Sequence, residues 1–221
     1  MIRSWVEDLL TLTDKYWGRY SFNRDPLIGK ISRSAQDLHY QKTVENAAAL
    51  AHRLQVEHGV KTPEGYLKQL GVKLCYKNAD PGSGYTLFAS YEEPDTITVF
   101  LETVEATAKL IAEYQLYDLV GDTKPADLLI AHELYHFLEQ TVPDVYSALK
   151  HITLWKLGPI ENRSRIYCLE EIGAMAFAKE LTGLKCSPFI FDFLMLYAWN
   201  PEKAGILYDV LMKSKAGREE L

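Results

Sequence analysis

"LLIAHELYHFLEQ", residues 128–140, places His132 and His136 four positions apart with Glu133 directly after the first. Pro125, in the preceding "DTKPADLL", suits the first position of a helix, and neither Gly nor Pro interrupts the chain from there to Thr141. The pattern predicts a helix over 125–141. On a helix, residues i and i+4 share a face one turn apart, so both imidazoles can reach one ion. Zinc takes neutral imidazole nitrogen at about 2.0–2.1 Å in a tetrahedral shell. Glu133 then lies on the adjacent surface, within reach of a metal-bound water without being a ligand, which is the mechanical logic of HExxH. The competing reading is an ordinary buried helix that carries two histidines. The flanks favour the metal: Ile130, Ala131, Leu134, Tyr135, Phe137 and Leu138 are uncharged. So apolar a helix is deeply buried, and two histidines and a glutamate within it need partners. One ion satisfies all three.

Two histidines leave a catalytic zinc one protein ligand short. His39, His52 and His58 fall on a mostly polar N-terminal helix and read as solvated. His151 is nearer, but the three-histidine pattern HExxHxxGxxH is absent, because position 139 is Glu139 and position 142 is Val142. "YCLEEIGAMAFAKELTGL" offers more. It reads as a second apolar helix with adjacent acids, Glu170 and Glu171, and its Gly173, Ala174, Ala176 and Ala178 permit close approach to another helix. An acid from this helix completes a His2Glu set.

Outward from these two helices, residues 1–20 read as a helix and a longer one spans 34–59. Thr62, Pro63 and Gly71 mark the cap, first position and end of a short helix. The period then changes. "VKLCY", "GYTLFASY" and "TITVFL" are rich in β-branched and aromatic residues and separated by turn formers such as "NADPGSG". They predict a small antiparallel sheet, with "TITVFL" a candidate exposed edge for an extended substrate. Helices follow at about 103–118, 125–141, 163–183, 188–199 and 201–213. Helices, a small sheet, then helices is an α+β order. The expectation is a single domain over 1–221, with an N-terminal helical extension over about 1–60.

Composition narrows the classes. The 221 residues are 48% hydrophobic and 24% charged, the balance of a folded globular chain. The net charge of −6 and the lack of a basic stripe argue against direct nucleic-acid binding. Cys75, Cys168 and Cys186 are widely spaced and odd in number, which fits reduced thiols in a cytoplasm. Acids at Glu7, Asp8 and Asp14 break the apolar core a signal peptide needs. No run of about 18 apolar residues occurs, so no membrane span is expected.

"AHELYH" followed by "EIGAMAFA" resembles the gluzincin arrangement of zinc peptidases, and within it the ImmA/IrrE family and related minimal gluzincins. That family typically shows an "AHELGH" helix and then a helix of the form ExEANxFA. Ala174, Phe177 and Ala178 fall on its Ala, Phe and Ala, a register that makes Glu171 the metal ligand and Glu170 its neighbour. The likeness covers about residues 45 to 185. It implies a mainly helical zincin-like domain with the sheet beside the active-site helix. It also implies one zinc ion on His132, His136 and Glu171, with Glu133 as general base. The substrate would be a protein or peptide, in that family typically a DNA-bound repressor. Tyr167 is the first candidate for an oxyanion helper, then His151 and Arg165; all three also read as packing or surface residues. The chain departs from the family's pattern at Tyr135, where Gly is common, at Gly173, where Glu is common, and at Met175, where Asn or Asp commonly bonds a ligand histidine. Asp127, Glu139 and Glu170 are the acids that could replace that bond. The alternative expectation is a catalytically weak or inactive metal-binding interaction module of the same fold.

Overall fold

The computed structural model describes residues 1–78 and 88–219, and the side chains of all of these but 216–219. The N-terminal stretch predicted as one helix is two, α1 (Ile2–Leu10) and α2 (Asp14–Asn23). The cause is local: the Thr11 hydroxyl takes the Asp8 carbonyl, and the Thr13 side chain accepts from the Tyr16 amide as the N-cap of α2. Ser and Thr hydroxyls compete with the helix for backbone partners in this way. α3 (Arg33–His58) is capped by Ser32 and stops at Gly59. α4 (Pro63–Leu70) has the cap expected of it, with Thr62 accepting from Gly65 and Gly71 left-handed at φ 72°.

The sheet corrects the expected pairing. β1 (Lys73–Lys77), β2 (Ala89–Glu92) and β3 (Thr96–Phe100) lie in the order β1–β3–β2. β2 and β3 pair antiparallel, but β1 and β3 pair parallel, with Lys73 opposite Thr96. The sheet is therefore mixed. The turn at 93–95 folds β3 back between its two predecessors, so the strand with buried Ile97, Thr98 and Val99 takes the centre. That also corrects the edge: "TITVF" is hydrogen-bonded on both sides, and among the described residues the strand with one unpaired side near the histidine helix is β2. The predicted turn "NADPGSG" and the start of "GYTLFASY" fall mostly on 79–87, outside the described residues.

The helix expected over 103–118 is α5 (Leu101–Glu113) and α6 (Tyr117–Val120), divided where Gln115 adopts φ 51°. α7 (Pro125–Thr141) has the predicted bounds. After α8 (Tyr146–Leu149) comes an element the sequence reading missed: a hairpin of β4 (His151–Leu157) and β5 (Ile160–Arg165), turning at Gly158, whose φ is 58°. The helix predicted from 163 therefore begins later, as α9 (Cys168–Thr182), since 160–165 pair with β4. α10 (Phe189–Trp199) and α11 (Pro201–Glu219) complete an α+β fold, none of whose described helices is long and apolar enough to cross a membrane.

α9 packs against both α3 and α7. The N-terminal helices share the main core, in which one cluster of buried apolar side chains runs from Ile2 to Leu211. Trp17 stacks on Phe189 at 5.3 Å and Trp5 on Tyr208 at 4.8 Å. The loop after α2 also anchors α9. Asp25 is buried, and its two carboxylate oxygens accept the amides of Leu27 and of Cys168, each at 2.8 Å. Cys168 opens α9, so Asp25 meets that helix where its unpaired amides and dipole favour an anion. Asp25→Ala should cost about 1.5–3 kcal/mol, the worth of a hydrogen bond to a charged group. Urea unfolding checks this: the midpoint should fall at unchanged slope.

Candidate metal centre

α7 is set against α9 by a close contact. Tyr135 is fully buried, its ring 5.7 Å from Phe177. It occupies the space over Gly173, where a Cβ would stand 2.1 Å from the tyrosine oxygen. This approach brings the first turn of α9 beside the two histidines. The Nε2 atoms of His132 and His136 lie 3.3 Å apart. Glu171 Oε2 is 3.4 Å from His132 Nε2, and its Oε1 is 3.9 Å from His136 Nε2. Four ligands at about 2.0–2.1 Å around a tetrahedral ion stand roughly 3.4 Å from one another. Three atoms of the right chemistry thus sit at spacings that suit one ion. Among the described residues this is the one such cluster.

Electrostatics fits the same reading. Burial opposes charge on His132, but the hydrogen bond and negative charge of Glu171 outweigh it and hold the imidazole at about 9. Burial likewise opposes charge on Glu171, and the His132 contact outweighs it, drawing the carboxyl down to about 2. Glu171 is half open to solvent at the cleft, 57% exposed by side chain, so water shares with the histidines in stabilising its charge. These directions favour a charged His132–Glu171 pair, 3.4 Å apart; a metal would take the imidazole in its neutral form.

Glu133 is buried at 8% exposure, and no protein group among the described residues hydrogen-bonds its carboxylate. It borders a cavity on each side. One, of about 770 Å³, holds His132 and Glu171 and is walled by Trp17, Phe88, Leu129, Met175 and Phe193. The other, of about 530 Å³, holds His136, Tyr91, Glu139, Arg165 and Glu170. β2 spans both: Ala89 lines the first and Tyr91 the second. Tyr91 also fixes β2 to α7, with its ring 6.1 Å from Phe137 and its hydroxyl 3.2 Å from the Gln140 amide oxygen.

Other candidates separate. Glu170 turns from the histidines to Arg165, at 3.3 Å. His151 is exposed, its Nδ1 2.9 Å from the Leu149 carbonyl. His39 corrects the solvated reading: it is buried, with Nδ1 2.8 Å from the Tyr146 hydroxyl, and burial lowers its pKa. Tyr167 is 52% exposed and lines a side cavity with Glu171. Cys75, Cys168 and Cys186 are free thiols outside the cluster.

Of the three acids that could stand behind a histidine, Glu139 does so. It is buried, with Oε2 3.8 Å from His136 Nδ1. Ser147 donates to its Oε1, and the Tyr135 hydroxyl lies 2.7 Å from Ser147 Oγ. The sequence reading missed Ser147 and also Asp192, which lines the larger cavity. Burial pushes Asp192 up to about 7, with the positive charge of His132 working against that rise. A lone acid within "FIFDFLMLYAW" was the available signal.

The chain matches no family model, no curated protein and no solved structure.

Purified protein should bind one equivalent of Zn²⁺. His136→Ala or Glu171→Ala should reduce zinc in the dialysed protein to background. Both should also lose the stabilisation zinc confers, about 2.7 kcal/mol at a hundredfold excess over Kd. Glu170→Ala should keep both. Elemental analysis and melting curves with and without chelator check this, and a Glu171→Ala protein that holds zinc like wild type would overturn the register.

Proposed function

We propose that the protein is a zinc-dependent metallopeptidase of gluzincin type, acting on a protein or peptide substrate. The observation that carries this reading is the convergence of His132, His136 and Glu171 from two helices, with a buried Glu133 beside them that faces two cavities and has no hydrogen-bond partner among the described residues. Bound zinc would lower the pKa of a coordinated water towards about 7 and polarise the scissile carbonyl. Glu133 accepts the proton of the attacking water and delivers it to the departing amine, so one peptide bond and one water become a carboxylic acid and an amine. His132, His136 and Glu171 are the residues that would hold the ion.

The substrate would lie along β2. Among the described residues this strand pairs only with β3, so its other side offers backbone groups to an extended peptide. For the carbonyl oxygen, Arg165 borders the smaller main cavity and Tyr167 the side cavity with Glu171, whereas His151 borders neither.

The interaction-module reading draws on Met175, a thioether with no strong acceptor where an amide or acid would orient a ligand histidine. Against it stands Glu139, whose carboxylate lies 3.8 Å from His136 Nδ1. Tyr135, the other departure, points into the core and lines neither main cavity.

Glu133→Gln should leave zinc content and melting temperature as in wild type and lower hydrolysis by about 10²–10⁴-fold, the worth of a general base. Unfolded proteins and a random peptide mixture serve as substrates. Equal cleavage by Glu133→Gln and wild type would remove Glu133 as the base. A zinc-loaded wild type that cuts nothing in this panel would favour the interaction module.

A further inference from the structure

Tyr135, Ser147 and Glu139 are three polar side chains in the core with no place among the metal ligands or the base. All three are buried, Tyr135 and Ser147 completely. Burying a phenol, a serine and a carboxylate together is costly unless each is hydrogen-bonded, and here each is. Their donors run in one direction. The Ser147 hydroxyl gives its proton to Glu139 Oε1, so the hydroxyl 2.7 Å away on Tyr135 must donate to Ser147 Oγ. Both protons therefore point towards the carboxylate, whose second oxygen faces His136 Nδ1 at 3.8 Å.

We propose that Tyr135, Ser147 and Glu139 form a buried relay that keeps the proton of His136 on Nδ1 and its Nε2 lone pair on the metal. The three are positioning residues: none is among the metal ligands, and each acts through His136. The inference rests on the metal-site reading above. The relay requires the 3.8 Å between Glu139 Oε2 and His136 Nδ1 to shorten to hydrogen-bond length, about 2.7–3.2 Å, when the metal is held. A carboxylate behind a ligand histidine fixes the tautomer and raises the basicity of the coordinating nitrogen. Here the carboxylate lies on the same helix as the histidine, three residues on, so α7 itself sets the spacing. The outer half of the relay needs the α7–α9 contact. Tyr135 reaches Ser147 because position 173 has no Cβ to meet its oxygen, and Ser147 is supplied by α8, the turn that leads into the hairpin.

Zinc affinity, measured by chelator competition, tests the relay, with the melting temperature of the metal-free protein as a control for packing. Tyr135→Phe keeps the ring and removes the donor. Ser147→Ala cuts the link to Glu139 and should weaken zinc by about 10-fold or more, within the range found for outer ligand partners. Tyr135→Phe should weaken it less. The double variant should match Ser147→Ala, because Tyr135 acts only through Ser147. Ser147→Thr should restore most of the affinity. The relay is overturned if both single variants bind zinc within twofold of wild type, or if their losses multiply in the double variant. A second readout needs no metal. Nitrogen-15 spectra of the metal-free protein should show His136 protonated at Nδ1 in wild type, with that preference weakened in Ser147→Ala; a preference for the Nε2 tautomer in wild type overturns the relay. The peptidase reading fails separately. Zinc affinity that responds to Ser147 in a protein that cuts nothing retains the relay and removes the enzyme. Cleavage by a wild type whose zinc affinity ignores both residues does the reverse.

Discussion

The distance between α7 and α9 is the constraint on which the site depends. Glu171 reaches the two imidazoles because its helix lies close enough for a glycine on one side to receive a tyrosine ring from the other. Any side chain at 173 would compete with Tyr135 for the same space. A well-packed core resists such an addition, at a typical cost of about 1–3 kcal/mol. The ring in turn brings a hydroxyl into the core, and that hydroxyl must be satisfied. One close approach therefore sets the ligand geometry and creates the demand that Ser147 and Glu139 meet.

Charge is the second constraint. Glu133, Glu139, Glu170, Glu171 and Asp192 all line the cavities around the histidines, while the arginines there are Arg24 and Arg165. Arg165 is engaged by Glu170. So many acids in a half-buried cleft repel one another, and Asp192, raised to about 7 chiefly by burial, shows how poorly the region bears a further negative charge. A divalent cation at the His132–His136–Glu171 point would add positive charge among these acids. The donor spacing and the surplus of acid are independent reasons to expect a metal there, one geometric and one electrostatic.

What could be read in advance was local. The cap of α4 and the bounds of α7 follow from residues a few positions apart: Thr62 with Gly65, and Pro125 at the start of its helix. The His132–His136 pair is equally local, and Glu171 needed only the recognition of a second apolar helix. Strand order was not legible, because the pattern of "TITVF" fits a central strand as well as an edge one. The β4–β5 hairpin is not legible because "IENRSR" is polar after Ile160, with no alternation to mark a strand beyond its turn at Gly158. His39 looked solvated because its neighbours in sequence are polar; its partner, Tyr146, is 107 positions away.

The two departures at 135 and 173 show why reading one position at a time misleads here. Against the pattern the chain resembles, a tyrosine for a glycine crowds the histidine helix, and a glycine for a glutamate discards a polar group on the facing helix. Each change alone is a loss. Across the α7–α9 contact they are complementary, since the volume added on one helix fills what the other gives up. On the proposed reading, where that pattern has a polar group at 173 and an amide or acid at 175, this chain has Glu139 of α7 behind His136. Metal ligands on separate helices fix where those helices must meet, but not which helix supplies the bulk between them or the acid behind the histidine. Those two choices can be exchanged while the three ligand atoms stay together, and the fold need only preserve the distance.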